Sequence, residues 1–474
     1  MPPLTHPDHN NIITTTLPPR KARVIAETDV LVVGGGPAGL GAAIGAAEAG
    51  AGVILAERYG FLGGSATAAL VMPMMSFHTQ EPVVQQSGDI TLFPTDHGPG
   101  RSVVSGVLAK LVTRLVEQGG AIPPSSRTGY VVPFDPEVFK LVAFELLDEA
   151  GVKFLLHALA SDVVSGSEVG GIVFETKSGP LVIKAKATVD CTGDGDIAAL
   201  AGAPYEIGRE EDGMPNPMTL MFRLTDFQRS GFEKYVNEHP DQWYGVHGLW
   251  DLIRKARNNG QLDLQREDIL FFGTTHEKEV SVNSTRIIRV MGTDIWDLTY
   301  AEWEGRRQMR QIASFLRKYV PGFENTYVVQ SGVNLGVRAS RRVLGDYKLT
   351  ADDVLEARKF DDVIARGSYP IDIHNPEGKG TIIRRLPPGE AYDIPLRSLL
   401  PENVENLTVA GKCISGTYEA QASYRAMPIC VATGQAAGVC AAIAARFGKS
   451  PHGVPVVDVQ KELLRQGADL GNPR

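Results

Sequence analysis

The sequence predicts an α/β protein in which a doubly wound, mainly parallel sheet is interrupted by an inserted α+β domain. Three observations carry that expectation. A β-branched run, Val30 to Val33, stops in Gly34-Gly35-Gly36 and is followed by a small-residue segment. The strand-into-glycine pattern returns twice, at Ala187–Cys191 before Thr192-Gly193-Asp194-Gly195-Asp196 and at Leu407–Ala410 before Gly411. Between those two returns, residues from about 206 to 325 hold all four tryptophans and long charged helical patterns, a compositional shift that marks a second domain.

In chain order, residues 1–23 read as an extended arm: they are proline-rich and polar, with no apolar run after a basic start, so they are not a secretory signal. Val30–Val33 is too short for an amphipathic helix and reads as a buried parallel strand. Gly34, Gly36 and Gly39 then fit G-x-G-x-x-G, and each has its own task. Gly34 allows the tight turn, Gly36 lets a pyrophosphate approach the backbone, and Gly39 lets helix and strand pack closely. The helix over Leu40–Ala49 offers its N-terminal N–H groups to the anion. A second strand, Val53–Ala56, ends at Glu57, where an acid accepts hydrogen bonds from an adenosine ribose and disfavours a 2′-phosphate. This Rossmann-like unit binds a dinucleotide, with NAD and FAD both open at this point.

The whole chain bounds the rest. With 474 residues, 43% hydrophobic and 22% charged, it has the composition of an ordinary globular protein. A net charge of −8 and a pI near 5.8 give no electrostatic case for nucleic acid or an anionic membrane. Cys191, Cys413, Cys430 and Cys440 show neither C-x-x-C nor a metal-like cluster with histidine, so no metal site is expected. The most apolar stretch, Pro428–Ala445, contains Thr433, Gly434, Gln435 and Gly438 and reads as a buried helix rather than a membrane span. The expected setting is the cytoplasm.

Four segments then choose the cofactor: "GFLGGSAT" directly after the ribose acid, the turn after Cys191, the turn at Gly411, and the helix that starts near Pro428 and stops by Gly448. Three strand-to-glycine turns imply one long cofactor. Through "GGGPAGLGAAIGAA", "GGSAT", "VDCTGDGD", "RASRRVLGDYKLTADDV", "YPIDIHNPEG", "YDIPLRSLLPENVENLTVAGKCIS" and "ATGQAAG", the chain resembles the FAD-dependent oxidoreductases of the glutathione-reductase-like superfamily, over about residues 28–445. Fumarate-reductase flavoproteins are more distant relatives. The resemblance implies a GR2-type FAD-binding domain, with Gly34, Gly36, Pro37, Ala38 and Gly39 on the pyrophosphate and Glu57, followed by Arg58, at the ribose. It further implies Gly64, Ser65 and Thr67 beside phosphates or flavin, Gly193 and Asp194 at a second turn, Gly411 at a third, and a helix from Met427 aimed at the flavin pyrimidine. The chain departs at Lys412-Cys413, where many such flavoproteins carry an acid for the ribityl chain. No second strand–GxGxxG–helix unit appears, so no separate NAD(P)H domain is expected.

Chemistry is sought near the flavin. His78 in "VMPMMSFHT" follows the pyrophosphate loop, either as a reacting group or as a structural histidine. Arg338, Arg341 and Arg342 stand at helical i, i+3, i+4 spacing, so Arg338 and Arg341 are candidate substrate-carboxylate ligands or members of an ion-pair network. The loop "SGTYEAQASYRAMP" joins the third turn to the last helix, which puts Tyr418 and Arg425 forward as catalytic and Tyr424 as substrate-binding, with loop scaffolding the alternative. Cys413 is a flavin attachment point or a small buried residue. His374 has no assignable role. The organisation expected is an arm over 1–23, FAD-binding domain over 24–205, substrate or cap domain over 206–325, return to the FAD domain over 326–450, and a tail over 451–474. The expected activity is hydride transfer between a CH–OH or CH–CH unit of a small organic substrate and flavin N5, with reoxidation by oxygen or a separate acceptor. Reduction of an activated C=C is the rival enzyme reading; a flavin-bound RNA-modification or interaction component is the rival of another class. The polar turn at Thr192 is loosely similar to that of flavin hydroxylases, though its order along the chain matches poorly. Oligomeric state stays open, a homo-oligomer included.

Overall fold

The computed structural model describes residues 14–81, 88, 90–164, 169–264, 266–378 and 380–471. Most of the N-terminal arm lies outside these residues, and 14–22 have no regular structure. The first glycine turn ends strand β1 (Arg23–Val33), which is longer than the apolar run because its exposed first half continues the pairing. Helix α1 (Pro37–Glu48) and β2 (Val53–Ala56) follow, then β3 (Lys153–Leu155), β4 (Leu159–Val164), β5 (Gly171–Thr176) and β6 (Gly179–Asp190). Much later β7 (Leu407–Val409) returns to the same sheet.

The spatial order is β3-β2-β1-β6, and the far side of β6 is shared. Its first half pairs antiparallel with β5, its last three residues parallel with β7. β3, β2, β1, β6 and β7 all run parallel. Val30–Val33, Val53–Ala56 and Val189 are buried, as a sheet covered on both faces requires.

Two helices on one another cover that sheet: α1 and, near the chain's end, α3 (Met427–Phe447), numbered after the long helix α2 (Ile295–Tyr319). They touch backbone to backbone, since a Cβ on Gly41 would sit 2.2 Å from the Val431 carbonyl oxygen and one on Gly434 2.0 Å from that of Ala38. Glycine and alanine are therefore needed along both helices. The α3 helix is long and apolar enough to cross a membrane, with mean hydropathy 1.6, but 89% of that window is buried against the rest of the protein. Its Thr433 and Gln435 find partners there, at Gly411 N and at Gln466.

A second, six-stranded antiparallel sheet uses residues 222–331, which fall between β6 and β7 in the chain. Alternation divides its faces. Phe222, Leu224, Ile269 and Phe271 pack into a core with Ile312, Phe315 and Leu316 of α2. The α2 helix is started by the Asp294 carboxylate, which accepts from Trp296 N and Asp297 N.

Two expectations need correction. Arg341–Val343 is a strand, not part of a helix, so Arg338, Arg341 and Arg342 do not share a face by i, i+3, i+4 spacing. The segment 451–474, read as a tail, contains the helix Val456–Arg465, whose Val459 and Leu463 enter the main core. Its apolar residues at i and i+4 gave that signal.

Candidate functional site

The strand register lines up the glycine turns. Val33 stands opposite both Ala56 and Asp190, and Asp190 opposite Val409, so β1, β2, β6 and β7 end at one level. A cavity of about 720 Å³ runs along that edge, lined among others by Gly34, Gly36, Glu57, Gly64, Gly193 and Gly411. The carboxyl edge of a parallel sheet is where such folds bind ligands.

The glycines there are of two kinds. Gly34 has φ +104, and a Cβ on it would lie 2.3 Å from the Cys191 carbonyl oxygen. Gly39 would place one 1.8 Å from the Gly34 carbonyl oxygen and does not line the cavity; it belongs to helix–strand packing, not to a pyrophosphate contact. Gly36 is different. Its φ of −76 suits any residue, and a Cβ would meet nothing nearer than Gly64 Cα at 3.6 Å. The protein's own packing does not require glycine at 36, and the residue lies on the cavity wall.

The buried Glu57 carboxylate accepts from Gly35 N at 2.6 Å and from Tyr59 N at 2.9 Å, tying the first turn to the end of β2. Pro37, Ala38, Arg58, Ser65 and Asp194 also line the cavity, and Arg58 lies over the Tyr59 ring at 4.9 Å. Thr67 does not line it, because its hydroxyl donates inward to the Leu62 carbonyl at 2.6 Å. At the third turn, Lys412 Nζ donates to Asp194 at 2.6 Å and to Ser340 Oγ at 3.0 Å. Burial pushes the Asp194 carboxyl up, but Lys412 and the Ser340 hydroxyl outweigh it and hold the group below its usual range. Thus Lys412, directly after the third glycine turn, joins it to the second.

Two helices open onto the cavity at their N-termini. The α1 helix begins after Gly36 and α3 after Ala426, neither with a side-chain cap and neither with an acid in its first turn. Ala426 and Met427 line the wall. Free N–H groups and two dipoles favour negative charge in the space they face.

Beyond α3 lies a polar end built from distant segments. Arg425 donates to the Asp372 carbonyl at 3.0 Å, and its Nε is buried with no partner among the described residues. Tyr369 donates to Asp372 Oδ2 at 3.2 Å, and His374 Nε2 stands 3.5 Å away. Burial would raise the Asp372 carboxyl, yet His374, Arg425 and Arg338 hold it well below the usual range. Burial, with Arg338 and Arg425 opposing the pull of Asp372, pushes His374 down to about 3, so its ring is neutral. His97 is likewise pushed down by burial; its Nδ1 is 2.5 Å from Ser76 Oγ, its Nε2 3.3 Å from Asp96, and its ring stacks on Tyr369.

The sequence candidates divide accordingly. Arg338 and Arg425 line the cavity; His78, Arg341, Tyr418 and Tyr424 do not. His78 packs edge-on against Tyr130. Arg341 pairs with Asp196 at 2.8 Å and lies over Tyr205. Residues 418–424 form a helix, and Tyr424 donates inward to the Ile414 carbonyl at 3.0 Å while the Tyr418 hydroxyl is buried without a partner among the described residues. Cys413 is a buried thiol off the cavity wall, pushed well above its ordinary pKa by burial. Sequence reasoning missed Asp96, His97, Arg266, Arg286 and Asp372. For Asp372 the D-x-H spacing in a strand was an available signal, since i and i+2 share a face.

A model of the family described as FAD dependent oxidoreductase matches residues 29–463. Among solved structures, the chain is similar to a geranylgeranyl bacteriochlorophyll reductase-like protein from Thermoplasma acidophilum (13% identity, TM-score 0.45, covering 94% of this chain and 84% of that one). It is similar to p-nitrophenol 4-monooxygenase PnpA from Pseudomonas putida DLL-E4 (10% identity, TM-score 0.48, 93% and 85%). The flavin-dependent brominase Bmp2 is a third (11% identity, TM-score 0.44, 93% and 84%). A comparison with curated protein sequences gave no match.

Proposed function

Since the chain belongs to the FAD-dependent oxidoreductase family, we propose that it transfers a hydride between a CH–OH or CH–CH unit of a small organic substrate and flavin N5, with oxygen or a separate acceptor completing the cycle. The observation that carries this reading is the alignment of three glycine turns at one sheet edge, with Gly36 left bare of any packing need. The residues fit the cofactor: Gly34, Gly36–Ala38 and Ser65 for the pyrophosphate, Glu57 and Arg58 for the ribose, Gly193, Asp194 and Gly411 along the chain to the flavin, and Met427 at the ring. FAD supplies the hydride-accepting centre. The uncapped start of α3 stabilises negative charge at the cavity's flavin end.

The remaining work falls to the polar end. His97, neutral and on the cavity wall, is the group able to take a substrate proton, whereas both ring nitrogens of His374 are engaged. At His374 the Arg286 Nη2 beside Nδ1, 3.3 Å away, can only donate, so Nδ1 accepts and Nε2 carries the proton toward Asp372. Arg425 is held by Asp372 and positions the substrate. A second reading, reduction of an activated C=C, is favoured by the arginines and His374 that share this end. Anaerobic reoxidation of dithionite-reduced enzyme by an enoate, but not by its saturated analogue, would select it.

The chain is expected to purify yellow and to release FAD on heating or acid treatment. Colourless protein that cannot be reconstituted, or flavin that stays with the denatured chain, would overturn the reading. Neither NADH nor NADPH should bleach the flavin rapidly under anaerobic conditions, because the sequence carries a single nucleotide-binding glycine unit; fast bleaching by either would reveal a nicotinamide site. Tyr418→Phe should leave flavin reduction unchanged, since the hydroxyl it removes makes no hydrogen bond among the described residues and does not line the cavity. Arg425→Ala should slow reduction by about tenfold or more, roughly 1.4 kcal/mol of barrier. A slow Tyr418→Phe paired with a wild-type Arg425→Ala would reverse these roles.

A further inference from the structure

The polar end of the cavity holds more positive than negative charge. Arg266, Arg286, Arg338 and Arg425 line it, against Asp268 and Asp372. Arg266 is paired with Asp268 at 2.7 Å and Arg425 with Asp372 at 3.5 Å. Arg286 and Arg338 have no carboxylate within ion-pair distance among the described residues. Counting the exposed Glu267 and the mutually paired Asp96 and Arg385 as well, five cations still face four anions.

What holds the two unpaired guanidiniums is neutral. Arg286, 7% exposed, gives its donors to the carbonyls of Gly378 and Gly380, to His374 Nδ1 and to Thr381 Oγ1. Its fork is nearly used up, so it contributes charge. Among the described residues Arg338 donates only to the Pro217 carbonyl at 2.6 Å and Asn283 Oδ1 at 3.4 Å. Of the five N–H groups a guanidinium carries, three are left. Burial and the charges of Arg425, Arg286 and Arg266 push Arg338 down to about 9, although Asp372 opposes them. A buried surplus of like charge is costly unless a counter-ion joins it.

The same wall also carries apolar groups. Thr219 and Met221 alternate on the segment that leads into the second sheet at Phe222, and Leu270 and Phe272 follow Asp268 at i+2 and i+4 on one of its strands, all lining the cavity. A ligand that satisfies both surfaces has an anionic head and a hydrocarbon body.

We propose that the substrate is a small organic acid whose carboxylate docks between Arg338 and Arg425, with its hydrocarbon part against Met221, Leu270 and Phe272. The proposal rests on the oxidoreductase reading above and adds the substrate class. A carboxylate suits this end because its two oxygens match the planar fork and take the three free donors of Arg338 with those left on Arg425. Arg286 adds charge from behind.

The test titrates the purified holoenzyme with sodium acetate, sodium pentanoate, pentanamide, inorganic phosphate and sodium chloride, following the flavin absorbance and the thermal midpoint. Pentanoate should bind more tightly than acetate, and pentanamide and chloride should not compete. In Arg338→Gln, pentanoate should bind roughly tenfold or more weakly, with Arg338→Lys intermediate and FAD content unchanged. Equal affinity for pentanoate and pentanamide, a response to phosphate and not to carboxylates, or equal pentanoate affinity in wild type and Arg338→Gln would overturn the proposal. The amide comparison decides even if the variants fail to fold. Should the chain carry no FAD, the oxidoreductase reading falls, while the thermal midpoint still reports carboxylate binding.

Discussion

A Gly36→Val chain is expected to fold, to express, and to purify without FAD. Folding should survive because Gly36 lies in an extended conformation open to valine, with Gly64 Cα at 3.6 Å the nearest atom to an added Cβ. The position is the N-cap of α1, where a β-branched residue typically costs about 1 kcal/mol relative to glycine. Binding should not survive. Gly36 lines the cavity, so the valine methyls would occupy space where the pyrophosphate must come against bare backbone at the start of α1. The comparison is with wild-type protein stripped of FAD, because bound cofactor itself raises the midpoint. The variant's midpoint should match that of the stripped protein, and its FAD-to-protein ratio should be near zero after gel filtration. Stoichiometric FAD in Gly36→Val would remove the central inference from the first glycine turn.

The parts of this site that were legible in the sequence are those in which a local backbone demand selects a residue type. Gly34 answers to a positive φ and Gly39 to the Gly34 carbonyl, both demands local to one strand–turn–helix unit, so their spacing alone identified them. Lys412 was visible as a departure, but its partner Asp194 lies 218 residues away, and only the level ends of β6 and β7 bring them together. The polar end was illegible for the same reason on a larger scale. Arg266 and Arg286 come from the second sheet, Arg338 from the segment after it, and Asp372 from another hairpin. Connectivity did bring Arg425, at the end of the segment before α3, to the cavity wall. It could not tell which way each side chain would point once residues 418–424 coiled, and both tyrosines turned inward. The arginine triplet failed through its period: helical spacing was assumed for a segment that runs extended, and neighbours on a strand alternate faces.

Gly434→Ala is expected to damage the fold itself, unlike Gly36→Val. Helix propensity favours the change, since alanine is better than glycine by up to about 1 kcal/mol in a helix interior. Packing opposes it more strongly. The new Cβ would lie 2.0 Å from the Ala38 carbonyl oxygen and 2.7 Å from its carbon, both rigid backbone in α1, so no side chain can swing aside. Relief requires α1 and α3 to separate, which opens gaps between two helices that are buried along most of their length. Overpacking of this kind costs about 3 kcal/mol or more when backbone must move, and that exceeds the propensity gain. The same displacement would shift the N-termini of both helices at the cavity, so FAD should be held more weakly as well. In thermal unfolding of FAD-free protein, Gly434→Ala should melt well below wild type. Gly36→Ala, whose Cβ meets no atom closer than 3.6 Å, should melt near wild type. If Gly434→Ala melts at or above wild type, the backbone contact between α1 and α3 is not what fixes their spacing.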